Sequence, residues 1–171
     1  MVLYRNCRNT SEIARLISGL VPVREESYVN DIHGNKPKSF VYTNGKELQT
    51  IAANFVKDMM KNGLKVEDIA ILSIHRTETN PLHDVAALAG IPLSEKREPN
   101  KVWFTSIRKF KGLEAQVVLI VDFRFSEIDD ELARRIFYVG CSRANAYLQV
   151  AFFKDTEEIK DAELLEKLGI K

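Results

Sequence analysis

Four nearly unbroken apolar runs, Ile69–Ser73, Val102–Ser106, Val117–Phe123 and Tyr147–Phe153, constrain this chain more than any other feature. A strand wetted on one side alternates apolar and polar residues, whereas a strand that stays apolar is covered on both faces. The stretches between the runs carry helical spacing. Asn9-Thr10-Ser11-Glu12 places an Asx residue three positions before a Glu, a capped start for a helix over about residues 10 to 19 built on Ile13, Leu16, Ile17 and Leu20. Ser39–Thr43 reads as a strand that stops at the Asn44-Gly45 turn, and Leu48, Ile51, Ala52, Phe55, Val56 and Met59 then repeat at helical spacing up to Asn62-Gly63. Pro81 suits the first turn of a helix running to Gly90, and further helices are expected from about Asp129 to Ser142 and from Ala162 to Leu168. Buried strands alternating with helices predict an α/β fold, a mostly parallel sheet flanked by helices on both faces with right-handed crossovers. Ligands in such sheets bind at the carboxyl ends of strands, which places the turns after Leu3, Ile71 and Ser106 on one functional edge.

Length and charge narrow the function. The 171 residues, 45% hydrophobic, suffice for one core and one domain. The net charge of +1 excludes a uniformly basic binder, so affinity for nucleic acid has to come from local clustering. Cys7 and Cys141 are too few and too far apart for a disulfide framework, and no apolar run approaches the roughly 18 residues of a membrane span. A cytoplasmic chain is expected. His33, His75 and His83 show no metal-ligand spacing. No GxxxxGK[ST] phosphate loop occurs, and Met1-Val2-Leu3-Tyr4 enters a strand-like run directly, as in a domain excised from a longer protein.

The chemistry concentrates between Val102 and Ala144. A strand runs into the basic turn Arg108-Lys109-Phe110-Lys111-Gly112-Leu113-Glu114, and the helix beyond the next strand carries Arg134 and Arg135, with Arg143 about two turns further on near its end. A guanidinium so placed can project beyond the helix, and one delivered across a domain boundary to a transferring phosphoryl group contributes ~10³–10⁵ in rate. For an arginine taken alone, a surface ion pair is the ordinary reading. Gly112 permits a backbone conformation or close approach that a side chain would block. Glu114 could accept hydrogen bonds from ribose hydroxyls or be a solvated loop acid. Arg108, Lys109 and Lys111, interleaved with Phe110, suit contact with a nucleic-acid backbone. Trp103 reads as a core residue.

Four segments in order resemble a known family. Leu3-Tyr4-Arg5-Asn6-Cys7-Arg8-Asn9-Thr10 fits a fourth motif, L-x-x-N-Y-R-[ST]-T, and Val66 to Pro92 resembles the strand-loop-helix that follows it. Ser106-Ile107-Arg108-Lys109-Phe110-Lys111-Gly112-Leu113-Glu114 resembles the fifth motif, T-I-H-x-x-K-G-L-E. Arg134-Arg135-Ile136-Phe137-Tyr138-Val139-Gly140-Cys141-Ser142-Arg143-Ala144 resembles the sixth, R-R-L-x-Y-V-x-x-[ST]-R-A. The family is the superfamily 1 helicases of the UvrD/Rep type, and the part resembled is their C-terminal, RecA-like second motor domain.

The resemblance implies a RecA-like three-layer sandwich that lacks its own phosphate loop and shares ATP and Mg²⁺ with an N-terminal RecA-like partner domain. Arg143 and Arg8 would reach the γ-phosphate; Glu114, Gly112, Lys111 and Arg135 would serve the nucleotide; Ser106, Arg108 and Lys109 would contact single-stranded DNA. By itself the chain should not hydrolyse ATP. Three departures qualify this: Cys7 replaces the family's stacking tyrosine, Arg108 replaces a histidine, and only Leu93 to Lys101 separates Ile91-Pro92 from the Val102 strand, where UvrD-type enzymes carry a large inserted subdomain. The alternative is a non-catalytic docking module derived from such a domain.

Overall fold

The computed structural model describes residues 5–6, 9–20, 28–29, 32–157 and 162–170. In chain order the elements are β1 (Arg5–Asn6), α1 (Ser11–Leu20), β2 (Tyr28–Val29), β3 (Lys38–Tyr42), α2 (Gly45–Lys61), β4 (Ile69–Ser73), β5 (Ala87–Leu88), β6 (Ile91–Ser94), β7 (Val102–Ser106), β8 (Ala115–Arg124), α3 (Glu131–Cys141), β9 (Ala144–Phe153) and α4 (Ala162–Lys167). The apolar runs become neighbours in a seven-stranded sheet ordered β3-β9-β8-β4-β7-β6-β5, and β1 pairs with β2 separately. Among the described residues every strand pairing is parallel except that of β5 with β6. All five residues of β4 and of β7 are buried, as unbroken apolar runs require.

Helices cover both faces, as expected of the α/β class. On one side α1, α3 and α4 pack over Val118, Ile120, Phe123 and Phe152; on the other α2 packs over Ile69, Ile71, Val117 and Leu119. Phe123, Phe137 and Phe152 lie in mutual contact, with ring centroids 4.7, 5.7 and 5.9 Å apart and no exposure. Truncating any of them to alanine is expected to cost ~3–5 kcal/mol. Trp103 is in the core as expected, its ring 4.5 Å from that of Phe110 and its Nε1 donating to the Glu95 carbonyl.

Three local expectations need correction. The segment after Pro81 is not a helix. Asn80 Oδ1 accepts from Leu82 N, and the amides of His83 and Val85 donate three residues back, so the chain closes tight turns instead of an α-helical ladder. It then forms a hairpin, β5 to β6, whose central residues Ala89 and Gly90 both have positive φ, 51° and 82°, as a tight two-residue turn demands. Asn44 starts α2 where a turn was expected: its Oδ1 accepts from the amides of Lys46 and Glu47, while the Glu47 carboxylate accepts from Thr43 N at 2.7 Å, a reciprocal cap. Thr10 Oγ1 faces the amide of Ile13 at 3.5 Å at the start of α1, a contact at the long end of hydrogen bonding, and Asn9, read from sequence as the capping residue, turns its side chain elsewhere.

Gly140 fixes how closely α3 approaches the sheet. A Cβ there would lie 2.5 Å from Ile107 Cδ1 and 2.9 Å from Ile120 Cδ1. Gly140→Ala should therefore destabilise the fold by ~1–3 kcal/mol in chemical denaturation despite alanine's better helix propensity. Cys141, fully buried one residue later, has its thiol pushed well above the usual range by that burial. Peptide mapping should find Cys141 unmodified by a maleimide in the native chain and modified once denaturant unfolds it.

Candidate functional site

The end of α3 leads directly into β9, and three successive carbonyls at that junction are all taken by distant parts of the chain. Asn9 Nδ2 donates to Ser142 O at 3.3 Å and to Ala144 O at 2.5 Å. Between them Arg143 O accepts from Ala115 N at 3.1 Å, the residue after Glu114. The described end of the fourth motif, the end of the fifth and the end of the sixth therefore meet at Arg143. The Arg143 side chain is partly buried, and its Nε donates to Val139 O at 3.3 Å. Its terminal nitrogens make no hydrogen bond among the described residues. Arg8, its expected companion, and Cys7 lie outside the described residues.

This junction sits at the amino ends of β8 and β9, where Ala115 pairs with Ala144. Leu3, whose following turn is expected on one edge with those after Ile71 and Ser106, lies outside the described residues. Gly112, in the turn that carries the chain back to this end, has φ +85°, and nothing lies within 4 Å of the point that a Cβ would occupy, so the backbone conformation, not crowding, is what requires glycine there. Lys111 is exposed on the same turn. Arg135 is not brought to this place: it lies in the first half of α3, exposed, with its guanidinium on Glu131 at 2.5 Å.

The opposite, carboxyl edge holds a cleft of about 490 Å³ lined by residues that include His75, Arg76, Ser106, Arg108, Arg124 and Glu127. The turns after Ile71 and Ser106 do converge here. Ser106, 7% exposed, accepts from Lys109 N through its hydroxyl and so shapes the turn that presents Arg108. Arg108 is exposed toward the cleft. Lys109 is instead held by Glu95 at 3.1 Å and lies 3.9 Å from Glu78, and the Glu95 carboxylate is kept below the usual range first by the Thr77 hydroxyl and then by Lys109. Two of the three expected nucleic-acid residues therefore face open cleft, and the third already has anionic partners.

Asp122, which sequence reads as the end of a strand, lies inside β8, which runs on to Arg124. The register of β8 against β9 shifts between Ile120 and Phe123, and Asp122 in that bulge has φ 66° and is buried. Its Oδ1 lies 3.7 Å from Arg124 Nε, and Oδ2 has no hydrogen-bond partner among the described residues. Above it, His75 Nε2 and Glu127 Oε2 are 2.9 Å apart. Burial raises the Asp122 carboxyl above its usual range, opposed by the charges of His75 and Arg124 and assisted by Glu127. A raised carboxyl binds its proton more tightly when folded, so its stabilising contribution is present at low pH and is lost as pH rises through the folded value. Asp122→Asn, which tolerates the same positive φ, should raise the melting temperature at pH 7.5, with the gain vanishing toward pH 4; a neutral-pH loss would mean that the Arg124 and His75 contacts outweigh burial. Among the described residues no cluster of metal-ligating side chains occurs, and no helix is long and apolar enough to cross a membrane.

Residues 101–151, which contain the fifth and sixth motifs, match the family model of the UvrD-like helicase C-terminal domain. Among solved structures the chain is similar to the C-terminal domain of a possible DNA helicase from Lactobacillus plantarum WCFS1, with a TM-score of 0.70 and 18% identity over 92% of this chain and 95% of that one. No curated protein matches the chain. The sequence of residues 101–151 thus bears out the likeness to the UvrD-like helicase C-terminal domain, and the solved structure bears out the α/β fold over nearly the whole chain.

Proposed function

We propose that this chain is the second motor domain of an ATP-dependent superfamily 1 DNA helicase or translocase, completing an ATP site whose other half, with the phosphate loop and the Mg²⁺ ligands, belongs to an N-terminal RecA-like domain. The observation that carries this reading is the junction at residues 142–144, where the ends of three motifs far apart in sequence are tied around one arginine. A hydrogen bond to a carbonyl contributes only ~0.5–1.5 kcal/mol net, so Arg143 can leave Val139 O for a phosphate oxygen at small cost. A charge-assisted, forked contact to phosphate is the stronger one. Arg143 with Arg8 would then neutralise charge developing on the γ-phosphoryl group as the two domains close, Glu114 would hold the ribose, and Gly112 and Lys111 would shape the turn that presents it.

At the other end of the sheet, Arg108 and Ser106 would contact the backbone of single-stranded DNA, with Lys109 contributing only when released from Glu95 and Glu78. Because α3 runs between the two ends, closure around nucleotide at one would be felt at the other, which is what a stepping motor needs.

The separation of the two ends makes the test specific. In the full-length protein, Arg143→Ala should lower single-strand-stimulated ATP turnover by roughly 10³-fold while leaving DNA affinity unchanged. Arg108→Ala should weaken DNA binding and reduce its salt dependence by about one counterion. Undiminished turnover in Arg143→Ala would favour a docking module instead.

A further inference from the structure

We propose that Asn9 is a positioning residue of the ATP site: its side-chain amide clamps the backbone on both sides of Arg143 and so aims that arginine at the γ-phosphate. The inference rests on the proposed role of Arg143 at that phosphate. In the fourth-motif pattern the position of Asn9 is a serine or threonine, and a hydroxyl carries one hydrogen. The Asn9 Nδ2 carries two, and both are used, on Ser142 O and Ala144 O. The residue is 3% exposed and spans 133 and 135 positions of sequence to make these bonds.

Ser142 is the C-cap of α3, where carbonyls have lost their helical donors and need others. The peptide planes holding Ser142 O and Ala144 O lie on either side of the plane holding Arg143 O, which Ala115 N fixes. Three successive planes are thereby hydrogen-bonded, and the side chain of Arg143 starts from a restrained backbone. A misplacement of about 1 Å in such a group can cost ~10²-fold in rate, so a clamp at this position acts on chemistry more than on folding. Asn9 also directly follows Arg8 in sequence, so the same amide anchors the fourth motif to the sixth.

The test uses the full-length protein with Asn9→Asp, which keeps shape and volume but sets an acceptor against two carbonyls, and Asn9→Ser, which restores one donor. Turnover at saturating ATP should fall by about tenfold or more in Asn9→Asp and partly recover in Asn9→Ser. Affinity for ADP, which lacks the γ-phosphate, should stay within about twofold, while affinity for ADP–beryllium fluoride should fall by about tenfold. In the Asn9→Asp/Arg143→Ala double variant, turnover should fall no further than in Arg143→Ala alone, because the clamp acts through that arginine. If Asn9→Asp does not fold, Asn9→Ser carries the same comparisons with smaller changes. Turnover lost in Arg143→Ala but kept in the Asn9 variants overturns the proposal, as does an equal loss of ADP and ADP–beryllium fluoride affinity or an additive double variant. Turnover kept in Arg143→Ala defeats the underlying reading and this proposal with it.

Discussion

The hydrogen bonds to the carbonyls of residues 142, 143 and 144 are the constraint on which the arrangement around Arg143 depends. Each contributes only ~0.5–1.5 kcal/mol, which would make them minor terms in a stability account. Their importance is geometric. They join the end of the fourth motif, the turn after Gly112 and the exit of α3, segments with no continuity in sequence, and their acceptors are backbone carbonyls, which every residue carries. A guanidinium presented from such a point is held by the sheet itself, since Ala115 and Ala144 open β8 and β9.

The sheet also separates two groups of residues. Its amino end carries Arg143 and the turn leading to Glu114, and its carboxyl end carries the cleft of Ser106 and Arg108. Besides the strands, α3 crosses from the cleft to the junction, and the segment from Ile107 to Glu114 crosses beside it. Gly140 lets these approach so closely that Ile107 rests on the helix backbone. A displacement of the turn would thus be transmitted to the arginine at the end of α3 through direct packing, because a close-packed contact of this kind does not absorb a shift by deforming.

Much of this architecture was legible in sequence, for a physical reason. Strands buried on both faces must be apolar throughout, so β4, β7, β8 and β9 appeared as runs, and α1, α2 and α3 as periodic stretches with recognisable ends. The failures are equally specific. Residues 81–90 carry a proline, apolar spacing and a terminal glycine that imitate a helix, but Asn80 closes an Asx turn that competes with the first helical turn, and Ala89-Gly90 takes the positive φ values of a hairpin. Asn9 looked like a local cap because its spacing to Glu12 fits one, and nothing in a single sequence shows that its amide bonds Ser142 and Ala144. Of the candidate site residues, Arg143, Glu114 and Gly112 fall together or on one turn. The engagement of Lys109 by Glu95 and the exposure of Arg135 beside Glu131 depend on tertiary placement that spacing does not encode. Asp122, in a bulge, carried no signal beyond standing near the end of an apolar run.

The central claim is that Arg143 acts across a domain boundary on a phosphoryl group held mainly by another domain. A crystal structure of the full-length protein with ADP–aluminium fluoride, which imitates the transferring phosphoryl group, measures this directly. Arg143 is expected to leave Val139 O and place its terminal nitrogens about 3 Å from the fluoride ligands, with Asn9 still bonded to the carbonyls of Ser142 and Ala144. An occupied, closed site in which Arg143 remains on Val139 O, remote from the fluoride, would contradict it.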